Sequence, residues 1–132
     1  MSKLSMQLEY VSDESCGFLL GTTYSDGGGE VLEFIEVANS EQSNKKNRYL
    51  IHPTDFIKVE RMACEANLEI IGVYHTHINQ EALLSSTDKK FAFPQFFYLI
   101  LSMVNFKFSH ARCWRMDNEG IFKEIPINVV DK

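Results

Sequence analysis

A chain of 132 residues has room for one domain with its own buried core, and 45% hydrophobic with 23% charged residues excludes a mainly disordered protein. The formal net charge of −5 argues against a nucleic-acid backbone as the main partner and leaves open a partner with a basic segment. Three widely spaced cysteines, Cys16, Cys64 and Cys113, form neither a disulfide framework nor a CxxC site, so the expected compartment is a reducing cytoplasm.

In chain order, Leu4 to Val11 reads as a short opening helix with Leu4, Leu8 and Val11 on one face, and no secretory signal is apparent there. Cys16 to Tyr24 (CGFLLGTTY) is apolar and β-branched and runs into Ser25-Asp26-Gly27-Gly28-Gly29, a strong turn signal. Glu30 to Val37 returns, so the pair predicts a β-hairpin. Asn39 to Asn47 reads as an exposed loop and Arg48 to His52 as a short strand. Pro53 suits the start of a helix, because the N–H it lacks would have no intrahelical partner there. The helix is expected over Thr54 to Ala66, with an apolar stripe of Phe56, Ile57, Val59, Met62 and Ala63. Leu68 to His77 (LEIIGVYHTH) predicts a central strand, apolar on both faces until its end. A second helix is expected near Ser86, with Asp88 in its first turn. From Phe96 onward three strands are expected, the last over Ile121 to Val129. The apolar run Phe96 to Val104 is far too short to span a bilayer as a helix and reads as a buried strand. No repeat, linker or low-complexity tract divides the chain, so residues 1–132 are expected to form one domain of α/β or α+β class.

The chemistry concentrates in His75-Thr76-His77, followed by Ser85 and Asp88. Side chains at i and i+2 on a strand share a face, so the two imidazoles can converge on one ion. Asp88 arrives eleven residues after His77 from another element and can supply a third ligand. Two histidines and a carboxylate suit a catalytic zinc with one position left for water, whose pKa falls to about 7 on coordination. An HxH pair on a strand is by itself an ordinary polar pattern; its weight comes from its neighbours.

The spacing His-x-His, seven residues, Ser, two residues, Asp is met here without adjustment. Upstream stands Glu14-Ser15-Cys16-Gly17-Phe18-Leu19-Leu20-Gly21, and between them lie Tyr49, Ile51-His52-Pro53 and Gly72-Val73-Tyr74. In this order, over roughly residues 13 to 101, the chain resembles the JAMM metalloproteases of the MPN domain family. The resemblance implies a three-layer α/β domain similar to the cytidine deaminases, in which helices flank a curved mixed sheet. It also implies zinc held by His75, His77 and Asp88, Glu14 as general base, and Ser85 as donor to the oxyanion of the tetrahedral intermediate. The implied reaction is hydrolysis of an amide or isopeptide bond at the C-terminal Gly-Gly tail of a ubiquitin-like or sulfur-carrier protein, the tail adding as a strand beside the cleft. A small amino-acid adduct on such a carrier is a further substrate type. The chain departs from the family at two places: Ile78 and Leu84 stand where prolines usually stiffen the connecting loop by fixing φ. For Glu14 to serve the metal, the Cys16 strand must lie near the Leu68 strand.

Other readings have weaker support. A zinc deaminase needs H-x-E and a later P-C-x-x-C, and neither is present; nor is HExxH. Cys16 reads as a packed thiol rather than a nucleophile, and His52 and His110 as structural or surface residues. Lys45-Lys46, Lys89-Lys90 and the Arg112 to Arg115 stretch read as solvated faces. The Gly27 to Gly29 run lacks the Lys and Ser/Thr of a phosphate loop, and Phe91, Phe93, Phe96 and Phe97 read as core. The alternative from another class is a non-catalytic MPN scaffold that binds partners through the same fold; no membrane and no nucleic-acid partner is expected in either case.

Overall fold

The computed structural model describes residues 15–38, 53–85, 89, 92 and 94–129. In chain order these form β1 (Cys16–Thr23), β2 (Gly29–Val37), α1 (Pro53–Glu65), β3 (Glu69–Ile78), β4 (Phe97–Val104), β5 (Lys107–Met116) and β6 (Phe122–Ile125). The six strands make one sheet in the order β2-β1-β3-β4-β5-β6. All neighbours are antiparallel except β3 and β4, which run parallel. The result is the expected α/β domain with a mixed sheet.

The predicted hairpin forms as β1 and β2. Its turn closes through the Gly28 N–H donating to Asp26 Oδ1 (2.9 Å), with Gly27 at φ 95°, a conformation that glycine adopts without strain. Helix α1 begins at Pro53 and ends at Glu65; just past it stands Asn67 at φ 58°, where the Leu68 N–H donates to Ala63 O (2.8 Å) and the Asn67 N–H to Cys64 O (3.1 Å). This two-bond C-cap turns the chain directly into β3. Of the expected stripe, Val59 and Ala63 are buried and Phe56 packs beside them, but Ile57 and Met62 are 60% and 46% exposed. A single helix on a twisted sheet buries a narrow i, i+3, i+7 line, and these two residues lie on its flanks.

Two apolar clusters sandwich the sheet. Phe18, Leu20, Val73 and Tyr98 face α1 and meet Val59 and Ala63. Leu19, Tyr74, Phe97, Leu101, Met103 and Cys113 pack on the opposite face. The central strands β1, β3 and β4 are buried over most of their length, whereas β2 and β6 at the edges are half-exposed. Gly72 lets β3 approach β4 closely, because a Cβ there would meet the Phe97 carbonyl. The last strand is shorter than expected: β6 stops at Ile125 because Pro126 has no N–H to extend the ladder. Arg115 is not simply solvated. Its guanidinium donates to the Gly27 and Gln95 carbonyls and lies 4.6 Å from the Phe97 ring centroid, tying the first hairpin to β4.

No disulfide joins Cys16, Cys64 and Cys113; Cys16 is fully buried, as its reading as a packed thiol requires. The expected opening helix, the loop at 39–47, the strand at 48–52, and His52, Phe91 and Phe93 lie outside the described residues. No helix among the described residues is long and apolar enough to cross a membrane.

Candidate metal centre at the C-terminal end of β3

β3 is the third strand of six, and its C-terminal end abuts that of its parallel neighbour β4. Open α/β sheets bind ligands beyond the carboxyl ends of such strands. From Gly72 to Ile78 the β3–β4 register runs without a shift, so strict alternation puts Val73, His75 and His77 on the α1 face. Cys16, His75, Ile100 and Arg112 stand in one row across β1, β3, β4 and β5; His77, Ser102 and His110 form the next row toward the strand ends.

His75 and His77 are almost completely buried, at 1% and 5% exposure, and their Nε2 atoms lie 3.1 Å apart. The Nδ1 of His77 is 2.8 Å from the Glu81 carbonyl oxygen. A carbonyl only accepts, so Nδ1 carries the hydrogen and, in the neutral ring, Nε2 is left with its lone pair toward His75. The expected pair of histidines is therefore brought together, with one ring already held in the tautomer a ligand needs.

The segment after β3 is fixed residue by residue. Asn79, at φ 55°, donates its N–H to Met103 O (2.7 Å) and accepts from the Asn105 N–H through Oδ1 (2.9 Å). The Ser102 hydroxyl donates to the Gln80 carbonyl, and the Ala82 N–H donates to His110 Nε2 (3.1 Å). The Trp114 indole N–H donates to the Ala82 carbonyl (3.2 Å). Ile78 packs on the cluster of one sheet face and Leu84 on that of the other, so the two residues that replace prolines anchor the loop by burial.

Ser85 is exposed and follows this loop; its carbonyl accepts from the Lys89 N–H (3.1 Å), the i to i+4 bond of a first helical turn. Lys89 is helical, and Ser86, where the second helix is expected to begin, lies outside the described residues. On the other flank, Ser15 joins β3 at Thr76, between the two histidines: its N–H donates to Thr76 Oγ1 (2.8 Å) and its carbonyl accepts from the Thr76 N–H (2.9 Å). β1 thus pairs directly with β3, as the sequence reading required. Glu14 and Asp88 themselves lie outside the described residues, and among the described residues no third His, Cys, Asp or Glu joins the histidine pair. Ser102, His110, Trp114 and the Glu81 carbonyl were not singled out from sequence as parts of the site. Only Ser102, a small polar residue inside the apolar run FYLILSMV, carries a local signal.

Residues 4–117 match the family of prokaryotic homologs of the JAB domain. Two relatives named CysO-cysteine peptidase, from Mycobacterium tuberculosis and Mycobacterium bovis, are each 31% identical over 121 residues, covering 91% of this chain and 79% of theirs. Among solved structures, a protein from Salinibacter ruber superposes with a TM-score of 0.71 at 27% identity, covering 99% of this chain and 90% of that one. One from Desulfitobacterium hafniense superposes with a TM-score of 0.81 at 22% identity, covering 99% and 92%, a likeness of fold. Matched along most of its length by the family model and by peptidases of similar size, the chain belongs to the JAB-domain family of prokaryotes and is peptidase-like within it.

Proposed function

We propose that the protein is a zinc-dependent peptidase or isopeptidase that hydrolyses an amide bond at the C-terminal Gly-Gly tail of a ubiquitin-like or sulfur-carrier protein in the cytoplasm. The observation that carries the reading is the approach of the two Nε2 atoms to 3.1 Å at the buried end of β3. Two Zn–N bonds of ordinary length at a tetrahedral angle place their nitrogens about 3.3 Å apart, so the pair fits one such ion. The outward carbonyl contact of His77 is the usual support of a ligating imidazole. His75 and His77 would hold the ion together with Asp88. Zinc in that position supplies a Lewis acid that acidifies water and polarises a carbonyl.

The remaining work falls to two side chains. Glu14 takes a proton from the attacking water on its carboxylate and delivers it to the departing amine. It is one Cα step, about 3.8 Å, from Ser15, which is bonded to Thr76 between the histidines. Ser85 donates its hydroxyl hydrogen to the oxyanion that forms on the scissile carbonyl. The relatives' name, which couples CysO to cysteine, favours a carrier bearing a small amino-acid adduct over a branched protein conjugate as substrate.

The test combines metal analysis of protein purified without added zinc with incubation of carrier proteins extended beyond Gly-Gly by one cysteine or by a folded domain, with and without chelator. The expected result is about one zinc per chain and chelator-sensitive release of the extension. Glu14→Gln should keep the zinc and lose cleavage by about 10²- to 10⁴-fold. Metal-free wild-type protein that cleaves nothing identifies a scaffold instead, and full activity of Glu14→Gln removes the proposed base.

A further inference from the structure

We propose that His110 is a positioning residue for His77, acting through the single peptide group that joins Glu81 to Ala82. The carbonyl of this peptide accepts from His77 Nδ1 (2.8 Å), and its N–H donates to His110 Nε2 (3.1 Å). Carbonyl and N–H of a trans peptide are rigidly coplanar and point in opposite directions, so one plane bridges the two rings. It cannot rotate toward or away from one histidine without breaking the bond to the other. The polarity is fixed along the whole chain: an N–H must meet a lone pair at His110 Nε2, so the His110 hydrogen sits on Nδ1, 3.1 Å from Ser109 Oγ. Each hydrogen bond in such a series polarises the next, strengthening the carbonyl that orients His77.

The flanking peptide groups are tied down as well, by Ser102 on the Gln80 carbonyl and by Trp114 on the Ala82 carbonyl. Ala82 is fully buried, and its N–H finds its partner in His110. His77, Ser102 and His110 share one row across β3, β4 and β5, and the loop at 80–82 lies over it. In this chain the stiffness that prolines at 78 and 84 would give comes from the sheet beneath the loop. His110 touches neither His75 nor the reacting atoms in this scheme. It sets the tautomer and ring angle of His77, and thereby the affinity for the ion.

The consequence for metal affinity rests on the zinc reading above; the consequence for the tautomer does not. In metal-free protein at about pH 8, where imidazoles are neutral, long-range proton–nitrogen NMR correlations at the His77 ring should show one tautomer with hydrogen on Nδ1. His110→Ala and His110→Leu, the second keeping apolar bulk on β5, should both give a mixture of tautomers and weaken zinc binding roughly tenfold. His110→Gln, whose amide oxygen can accept from Ala82, should restore the single tautomer and most of the affinity. A His77 ring that stays in one tautomer in His110→Leu overturns the proposal, as does a His110→Gln protein no better than His110→Ala. A wild-type protein that takes up no zinc but shows the His110-dependent tautomer supports the positioning role while rejecting the zinc reading.

Discussion

The two halves of β3 are built on opposite principles. Toward its start, Ile71 and Val73 are buried among Phe18, Leu20, Val59, Ala63 and Phe97. Toward its end, His75, Thr76 and His77 are buried together with Ser102, and these four are the only buried polar or charged residues among those described. Apolar burial stabilises without regard to direction, at roughly 25 cal/mol per Å². A buried polar group stabilises only when each donor and acceptor finds a partner, and otherwise costs about 1–3 kcal/mol. The first half therefore tolerates changes of shape at the expense of stability, whereas the second depends on the placement of individual atoms. One half holds the fold, and the other is arranged for chemistry.

The largest expected effect tests the apolar half. Phe18 is 1% exposed and meets Phe56 edge-to-face at 5.6 Å between centroids, so Phe18→Ala should cost about 3–5 kcal/mol in denaturant unfolding. Zinc affinity of the protein that remains folded should stay at the wild-type value. His77→Ala should do the reverse, abolishing zinc uptake with a smaller loss of metal-free stability, about 1–3 kcal/mol, from the lost bond to the Glu81 carbonyl, which keeps the Leu83 N–H (2.8 Å), and from the space left behind. If His77→Ala unfolds the protein as severely as Phe18→Ala, the division of labour along β3 is wrong.

A smaller effect concerns pH. Burial, the leading cause, pushes the Cys113 thiol up from 9.0 to about 12, only partly offset by its hydrogen bonds and by Arg115. A thiol that resists ionisation in the fold but ionises in the unfolded chain binds more protons in the native state. Stability from this group is therefore complete below pH 9.0 and declines as pH rises toward about 12. Burial holds the Tyr74 phenol above its ordinary range in the same sense, with the Glu36 charge adding to it. Cys113→Ala should show a shallower fall of melting temperature across that alkaline window than wild type; an unchanged slope would mean that the thiol contributes nothing there. The smallest effect is expected at the rim. Arg112 and Glu124 pair at 3.9 Å with side chains 45% and 50% exposed, and Arg112→Ala should change stability by less than about 0.5 kcal/mol.

Most of the frame was legible in the sequence because it is written in local chemistry. The hairpin follows from an apolar run, the Ser25 to Gly29 turn and a second strand; α1 follows from Pro53 and a helical stripe; the burial of β3 follows from an unbroken apolar segment. The errors are instructive for the same reason. Periodicity marks Ile57 and Met62 as apolar but cannot tell how wide a strip the sheet will cover. β-branched composition carries the last strand on to Val129, whereas Pro126 ends its pairing.

The sequence by itself determined the donor types and their spacing: two imidazoles two residues apart on a strand necessarily share a face, because the pleat has period two. It could not determine what lies behind them. Ser102, His110 and Trp114 stand 25, 33 and 37 residues beyond His77, and no local pattern connects them. Only the lateral order of β3, β4 and β5, with a β3–β4 register unbroken from Gly72 to Ile78 and a β4–β5 register that shifts just past Ser102, sets His77, Ser102 and His110 in one row under the peptide at 81–82. Strand alignment is a property of the assembled sheet, and a shift by one residue would turn every one of those side chains to the other face.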